Sequence, residues 1–293
     1  MKRCIIVNPK AGSVKDLDGL LEKFRRLDPA AIHITAECGQ AETHAREAAE
    51  NGFDEIIIAG GDGTLNEIVN GVAPRLAEIR VGLIPLGTGN DFGRCLNLPE
   101  AVDDNIDIIL AGLTSAVDVV RADSDHPRYF VNVSAGGFSG LVDEKLTPEM
   151  KKTWGPLAYL RSAAAALPEL RSYRTTVELD AGENVDVDLY NVVIANGRFV
   201  AGGLPIAPEA DPRDGLLDVV LVASRPAAEM AVLAAQIYVG KHLDSDAITF
   251  RRSKRVSVRS RPGMWFNVDG ELVGNEPIVF EVMPKALQFL MKL

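Results

Sequence analysis

Cysteine is scarce: three residues, Cys4, Cys38 and Cys95, in a chain of 293. They are scattered and lack CxxC spacing, so no disulfide framework or zinc site is expected, and a reducing cytoplasm is the expected location. The four histidines, His33, His44, His126 and His242, have no ligand spacing either. Long apolar runs are missing. The longest, Met230 to Val239, is broken by Gln236 and falls short of the ~20 residues a membrane span needs. The apolar run Cys4–Val7 stops at Asn8-Pro9 and is too short for a secretory signal. An excess of positive charge is also missing. With 31 basic and 41 acidic residues the net charge is -10. That argues against a nucleic-acid partner and against binding anionic membranes by charge alone. What remains is an ordinary globular composition, 47% hydrophobic and 25% charged, long enough for one large domain or two. No internal repeat or low-complexity segment is seen.

The first half alternates between short β-branched runs and helical periodicity. Arg3–Val7, Ile32–Thr35, Glu55–Ala59 and Val81–Pro85 read as strands. Leu17, Leu20, Leu21, Phe24 and Leu27 recur at helical spacing, and Ala41–Asn51, Leu65–Gly71, Asp91–Leu96 and Asp104–Leu110 read as helices. This rhythm predicts an α/β domain with a doubly wound parallel sheet. After Ala116–Val120 the pattern becomes mainly strands, interrupted by one helix opened by Pro226. The second half therefore reads as a mainly antiparallel β domain, with the boundary near Asp123–Pro127.

Ligands of open parallel sheets sit beyond the carboxyl ends of the strands. Three glycine-rich loops are expected there: Asn8-Pro9-Lys10-Ala11-Gly12-Ser13, Gly60-Gly61-Asp62-Gly63-Thr64 and Leu86-Gly87-Thr88-Gly89-Asn90-Asp91. Glycine admits close backbone approach, and exposed N–H groups before a helix make an anion site. Thr64-Leu65-Asn66-Glu67 fits a capping box that would start the helix directly after the second loop. One such loop is more often a tight turn with a capped helix; three at one sheet edge point to a nucleotide. No GxxxxGK[ST] motif occurs, and neither the second nor the third loop fits GxGxxG, so a Walker P-loop is excluded and a plain dinucleotide fold is weakly supported.

GGDGTLNEIVNG (Gly60–Gly71), PLGTGNDF (Pro85–Phe92) and VNPKAG (Val7–Gly12) together resemble the diacylglycerol kinase catalytic family, and within it the bacterial lipid kinase branch. They are also similar to sphingosine kinases. The GGDG element alone is shared with NAD kinases and 6-phosphofructokinases. The resemblance covers nearly the whole chain. It implies an ATP-binding domain, residues 1–122 with a returning segment 279–293, and a lipid-substrate domain, residues 123–278. It implies ATP contacts from Asn8, Pro9, Lys10, Ala11, Gly12, Thr35, Gly60, Gly61, Asp62, Gly63, Thr64, Leu65, Asn66 and Thr88. Asp62 would organise the phosphates and Mg²⁺. Glu271, in the Asp269-Gly270-Glu271 hairpin, would be the catalytic base. A second, structural Mg²⁺ would be held by the Asp214 side chain and the carbonyls of Asp211 and Leu216.

Each residue also has a plainer reading. Asp62, Asp214 and Asp269 precede glycines, where aspartate marks turns. Glu271 alone reads as a solvated residue after a hairpin turn. Asp91 suits a helix dipole. Asp118, between valines, needs a partner if buried: a metal network or solvent on an edge. Lys10 and Lys15 could supply positive charge to phosphates. The basic run Arg251–Arg255, continued by Arg259 and Arg261, reads first as protection of a strand edge and second as a face toward anionic head groups. The expectation is an ATP- and Mg²⁺-dependent lipid kinase, cytoplasmic and transiently at the membrane, with its lipid as partner, no nucleic acid, no transmembrane segment, and a homodimer left open. NAD kinase and a non-catalytic lipid- or nucleotide-binding regulator are the rivals.

Overall fold

The structure is a computed structural model that describes residues 1–124, 126–138, 170–180, 182–268, 271–273 and 277–292. Two compact units emerge: Met1–Val119 with Lys285–Leu293, and Val120–Pro284.

In the first unit, β1 (Arg3–Val7), β2 (Ala31–Ile34), β3 (Glu55–Gly60) and β4 (Arg80–Pro85) are parallel, in the order β4-β3-β1-β2. β3 reads EIIIAG and is buried at every position, as expected of a central parallel strand covered on both faces. Helices α1 (Leu17–Phe24), α2 (Gln40–Glu50), α3 (Asp62–Val72), α4 (Asp91–Cys95) and α5 (Val102–Ala111) follow or separate the strands. At the amino ends of the strands, buried Glu55 is held between Arg3 on β1 and Arg80 on β4. A buried carboxylate flanked by two guanidiniums is costly to break, about 3–5 kcal/mol if one partner is removed.

Helices α2 and α3 pack unusually closely. The buried face of α2 is alanine only: Ala41, Ala45, Ala48 and Ala49. Opposite it on α3 is Gly71, where an added Cβ would run into the Glu42 carbonyl and lie 2.8 Å from the Ala45 Cβ.

The second unit is antiparallel. It takes up β5 (Thr114–Asp123) from Val120 onward, and adds β6 (Arg128–Phe130), β7 (Val133–Gly137), β8 (Tyr173–Leu179) and β9 (Asn184–Ala195). A short hairpin, β10 (Phe199–Val200) with β11 (Leu204–Pro205), precedes β12 (Leu217–Ala223). The helix Ala227–Tyr238 leads to β13 (Ile248–Ser253), β14 (Arg255–Arg261), β15 (Phe266–Val268), β16 (Glu271–Val273) and β17 (Ile278–Leu290). Its pairings β5–β6, β7–β9, β7–β15, β8–β9, β8–β14, β9–β12, β12–β13, β14–β17 and β15–β16 are antiparallel. β8 alternates strictly between exposed and buried from Arg174 on, the pattern of a sheet with one face in water. Its core centres on Phe130, Phe266 and Phe280, with ring centroids 6.2 Å and 5.4 Å apart for the pairs that include Phe280. β17 ends in the first unit, parallel to β4 through Gln288 and Phe289. No helix among the described residues is long and apolar enough to cross a membrane.

The predicted class, parallel α/β followed by antiparallel β, is therefore the observed one. Several local expectations are corrected. Asp118 does not face solvent: it is fully buried, and its carboxylate accepts the backbone N–H of Lys285 at 2.6 Å. The basic run is divided. β13 pairs only with β12 and is an edge strand, so Arg251 and Arg252 guard an edge; β14 is flanked on both sides. Asp269 and Gly270 lie outside the described residues; on either side of them β15 and β16 pair antiparallel, with Val268 opposite Glu271.

Replacing Gly71 with alanine should destabilise the protein. Overpacking against the α2 backbone costs about 1–3 kcal/mol and outweighs the ~1 kcal/mol helix-propensity gain. Denaturant unfolding would show a lower midpoint; an unchanged or higher midpoint would refute the close packing.

Candidate active site

The three glycine loops lie at the carboxyl ends of β1, β3 and β4 and are tied to one another. Asn8 donates through Nδ2 to Thr64 Oγ1 at 3.1 Å and accepts the Lys10 N–H through Oδ1 at 3.0 Å. Ser13 donates through both its N–H and its hydroxyl to the Leu86 carbonyl, at 3.0 Å and 2.9 Å. Leu86 N–H donates to the Gly60 carbonyl at 2.8 Å. Asn90, at φ +51°, closes the third loop on itself: its Oδ1 accepts the Gly87 N–H at 2.8 Å and its Nδ2 donates to the Gly87 carbonyl at 2.9 Å.

Two of the glycines are needed for space. A Cβ on Gly61 would stand 2.9 Å from the Gly87 Cα, and one on Gly87 would stand 2.6 Å from the Gly61 Cα. The second and third loops thus meet backbone to backbone. A Cβ on Gly12 would strike the Thr88 hydroxyl. Gly63 differs, since a Cβ there would meet nothing within 4 Å.

The second loop does not end in the expected capping box. Helix α3 begins at Asp62, with Gly61 as N-cap in extended backbone and no side chain capping it. The Thr64 hydroxyl is instead taken by Asn8. Glu67 reaches across to α2, where its carboxylate accepts the Ala41 N–H at 3.0 Å and the Cys38 thiol lies 3.5 Å away. The first-turn N–H groups of Asp62, Gly63 and Thr64 have no intrahelical acceptor. With the helix dipole behind them they form an anion-attracting end.

That end opens on a cavity of ≈ 320 Å³. Of the predicted nucleotide residues, Asn8, Lys10, Ala11, Thr35, Gly61, Gly63 and Thr64 line it. Gly12 and Thr88 abut each other behind this wall. Thr35 is buried and fixed by Val7, whose carbonyl accepts both its N–H and its hydroxyl. Leu65 is buried in the core, and Asn66 turns its amide oxygen to Asn70 Nδ2 at 2.7 Å, so neither belongs to the wall. Gly60 and Pro9 are not wall residues either.

Sequence reasoning missed Ala36, Glu37, Cys38, Ala41, Glu67 and Gly87, which complete the wall. Glu67 was visible inside GGDGTLNE but was assigned to its own helix. The segment 36–38 follows β2 without a glycine signal.

Asp62, the first residue of α3, is not a wall residue either. Its Oδ1 accepts the Phe92 N–H at 3.1 Å, which links the second loop to the start of α4.

The Asp211–Leu216 turn lies in the second unit. The Asp214 carboxylate accepts the Leu216 N–H at 3.0 Å, with Arg252 3.8 Å from its other oxygen. The Asp211 carbonyl accepts two N–H groups, from Arg213 at 2.7 Å and Asp214 at 3.2 Å. Close by, Asp218 is buried with Oδ2 lacking a donor, and Arg252 reaches only its Oδ1 at 2.9 Å. Burial pushes the Asp218 pKa up to about 6, Arg252 opposes this, and Asp214 and Glu209 add to it. Local negative charge is therefore in surplus, which suits a cation. The Asp211 oxygen, however, would have to give up a backbone donor to ligate one. No cluster of three metal-ligating side chains exists among the described residues.

Glu271 is in β16. It is the first residue of that strand, opposite Val268.

Comparison with known proteins agrees with this geometry. Residues 2–122 match the family described as diacylglycerol kinase catalytic domain. Residues 132–291 match the YegS C-terminal NAD kinase beta sandwich-like domain. A diacylglycerol kinase of Staphylococcus saprophyticus is 33% identical over 277 residues, covering 93% of this chain and 90% of that protein. One from Bacillus subtilis is 33% identical over 283 residues, covering 94% and 92%. A diacylglycerol kinase structure from Bacillus anthracis superposes with a TM-score of 0.77 at 26% identity, covering 99% and 97%. An NAD kinase from Archaeoglobus fulgidus, solved with ATP, gives a TM-score of 0.56 at 15% identity, covering 98% and 93%; this is likeness of fold alone. Fold, loops and matches define a lipid kinase. The chain belongs to the diacylglycerol kinase family.

One consequence is directly measurable. Cys4 and Cys95 are buried, and burial pushes the Cys4 thiol up to about 12, whereas Cys38 is exposed at the cavity wall. A thiol reagent should modify one cysteine of the native protein and three after denaturation. Cys38→Ser should abolish the native reaction; a second thiol reacting at a similar rate would contradict the burial.

Proposed function

We propose that this chain transfers the γ-phosphoryl group of ATP to a hydroxyl of a diacylglycerol-like lipid, with Mg²⁺ as the required cation. The observation that carries the reading is the uncapped first turn of α3 facing a cavity built from glycine loops, with Asp62 anchored beside it. Phosphoryl transfer depends on positioning and electrostatics, and free backbone donors at a helix end supply both. The names of the relatives supply the acceptor, and the ATP in the Archaeoglobus fulgidus NAD kinase supplies the donor by analogy of fold.

In this reading Asn8–Gly12, Thr35, Gly60–Asn66 and Thr88 form the ATP site, partly by contact and partly by shaping the loops. Lys10, at the wall, adds positive charge. Asp62, presented by the Phe92 N–H, holds the catalytic Mg²⁺. When bound, Mg²⁺ neutralises charge on the β- and γ-phosphates. Glu271 takes the proton from the lipid hydroxyl, which makes the oxygen a competent nucleophile. Asp214, with the carbonyls of Asp211 and Leu216, holds the structural cation. The surplus of carboxylate around Arg252 supports that assignment. The enzyme would work from the cytoplasm at a membrane surface, as a monomer or with a second copy of itself.

Transfer of label from γ-³²P-ATP into lipid dispersed in neutral mixed micelles tests the reaction. Wild type should label diacylglycerol. Asp62→Ala and Glu271→Ala should each lose at least about 100-fold. Gly63→Ala should keep full stability, because its Cβ meets open space, yet lose ATP affinity because it faces the cavity. ATP binding is read separately as slowed labelling of Cys38. Label entering NADP⁺ when NAD⁺ is supplied, with none in lipid, would move the protein to the NAD kinases. ATP protection of Cys38 without transfer to any acceptor would favour a regulator.

The structural cation has its own readout. Mg²⁺ should raise the melting temperature of wild type and not of Asp214→Asn. Equal shifts in both proteins would remove Asp214 from the site.

A further inference from the structure

The second unit carries an arginine cluster that the proposed reaction does not use. In the antiparallel pairing of β14 with β8, Arg261 stands directly opposite Arg174, and Arg259 opposite Thr176. Arg171 precedes β8 by two residues, and all four arginines are exposed. Like charges directly opposite one another destabilise a strand pair. Among the described residues the one ion pair of the cluster is with Asp188, across from Arg174 on β9, 4.0 Å from that guanidinium with both groups exposed. Arg171, Arg259 and Arg261 have no ion-pair partner among the described residues. The contrast with the start of the same basic run is sharp. Arg251 is taken by Glu183 at 2.7 Å and Arg252 by Asp218 at 2.9 Å. Two other acids lie on this face, Glu178 on β8, diagonal to Arg259, and Asp186 on β9; neither forms an ion pair with the cluster among the described residues, and Asp186 accepts the Thr176 hydroxyl at 2.6 Å.

Close in sequence to the cluster is an aromatic that the core does not use. Four residues after Arg261, Trp265 is 52% exposed, while its neighbours Met264 and Phe266 are each 1% exposed in the core. Since neighbouring side chains in extended backbone point to opposite faces, Trp265 is turned outward. Unpaired arginines with an exposed indole are a pairing suited to the membrane–water interface. Guanidinium groups bind lipid phosphates in a bidentate manner, and indole rings settle at head-group depth.

We propose that Arg171, Arg174, Arg259 and Arg261, with Trp265, form the surface through which the second unit docks on an anionic lipid membrane. The proposal rests on the lipid kinase reading, since such an enzyme must reach a substrate held in a bilayer. The chain as a whole is repelled by an anionic surface, with its net charge of -10. A local patch of opposite sign therefore decides which face approaches, at short range where screening is weakest. Bound phosphates also relieve the repulsion between Arg174 and Arg261.

The test is co-sedimentation with phosphatidylcholine vesicles, with and without phosphatidylglycerol, at low and high salt. Removing two membrane-facing cations in Arg259→Gln/Arg261→Gln should weaken binding to the anionic vesicles about 25-fold, roughly fivefold per arginine. The wild-type preference for anionic vesicles should vanish near 1 M salt. Trp265→Ala should weaken binding while leaving the salt dependence intact. Melting temperature should not fall in the double variant, and phosphorylation in neutral micelles should stay within about twofold of wild type. Equal binding of wild type and double variant to anionic vesicles would overturn the docking surface while leaving micellar kinase activity to stand. A 25-fold binding loss without lipid phosphorylation by either protein would keep the surface and sink the kinase reading. Loss of retention on heparin alone, with vesicle binding intact, would overturn it in favour of a soluble polyanion.

Discussion

The contact between Gly61 and Gly87 is the constraint on which the site depends. The loops after β3 and β4 touch through their Cα atoms, and no other residue fits at either position without moving backbone. The contact lets α3 begin at Asp62 with its first N–H groups facing the cavity rather than a capping side chain. It also brings Asp62 within reach of the Phe92 N–H at the start of α4. Asn90 holds the third loop by bonding both the N–H and the carbonyl of Gly87. Hydrogen bonds from Asn8 and Ser13 then tie the first loop to the other two. Each loop is short, and none would keep this shape without its neighbours.

The parallel sheet divides its labour between its two ends. At the amino ends a buried carboxylate is neutralised by two arginines from neighbouring strands, and a closed ion network of this kind serves stability. At the carboxyl ends the first-turn N–H groups of α3 have no intrahelical acceptor, which suits an anion but does nothing for the folded state. The alanine-only face of α2 against Gly71 lets two helices approach closely enough that Glu67 of α3 caps α2. The α2 N-terminus and the segment 36–38 are thereby held as one wall of the cavity. In the antiparallel unit the backbone groups of the strands are largely consumed by the ladder, so what the unit presents at its surface is side chains on strand faces.

Much of this was legible beforehand. The periods of 3.6 and 2 marked the parallel and antiparallel halves, because burial on both faces of a sheet and burial on one leave different patterns. The glycine loops were legible because glycine at a βα turn has few causes. Glu67 shows where that reasoning stops. Spacing from Thr64 suggested a local capping bond, and spacing cannot register a competitor from another element. Asn8 took the threonine hydroxyl, and the glutamate was left to cap α2. Asp118 is similar: its partner is a backbone N–H 167 residues further on. The basic run looked uniform, yet register alone separated arginines with carboxylate partners from arginines set against one another.

The sequence by itself determined the fold class, the family and the three loops. These follow from composition and from patterns repeated within a few residues, where local sterics and burial dominate. Only the tertiary structure decided which loop residues face the cavity, which helix Glu67 caps, what Asp118 is for, and which arginines stay unpaired. Those outcomes depend on contacts between residues distant in the chain, where one donor or acceptor has several candidates and the packing of the whole unit selects among them.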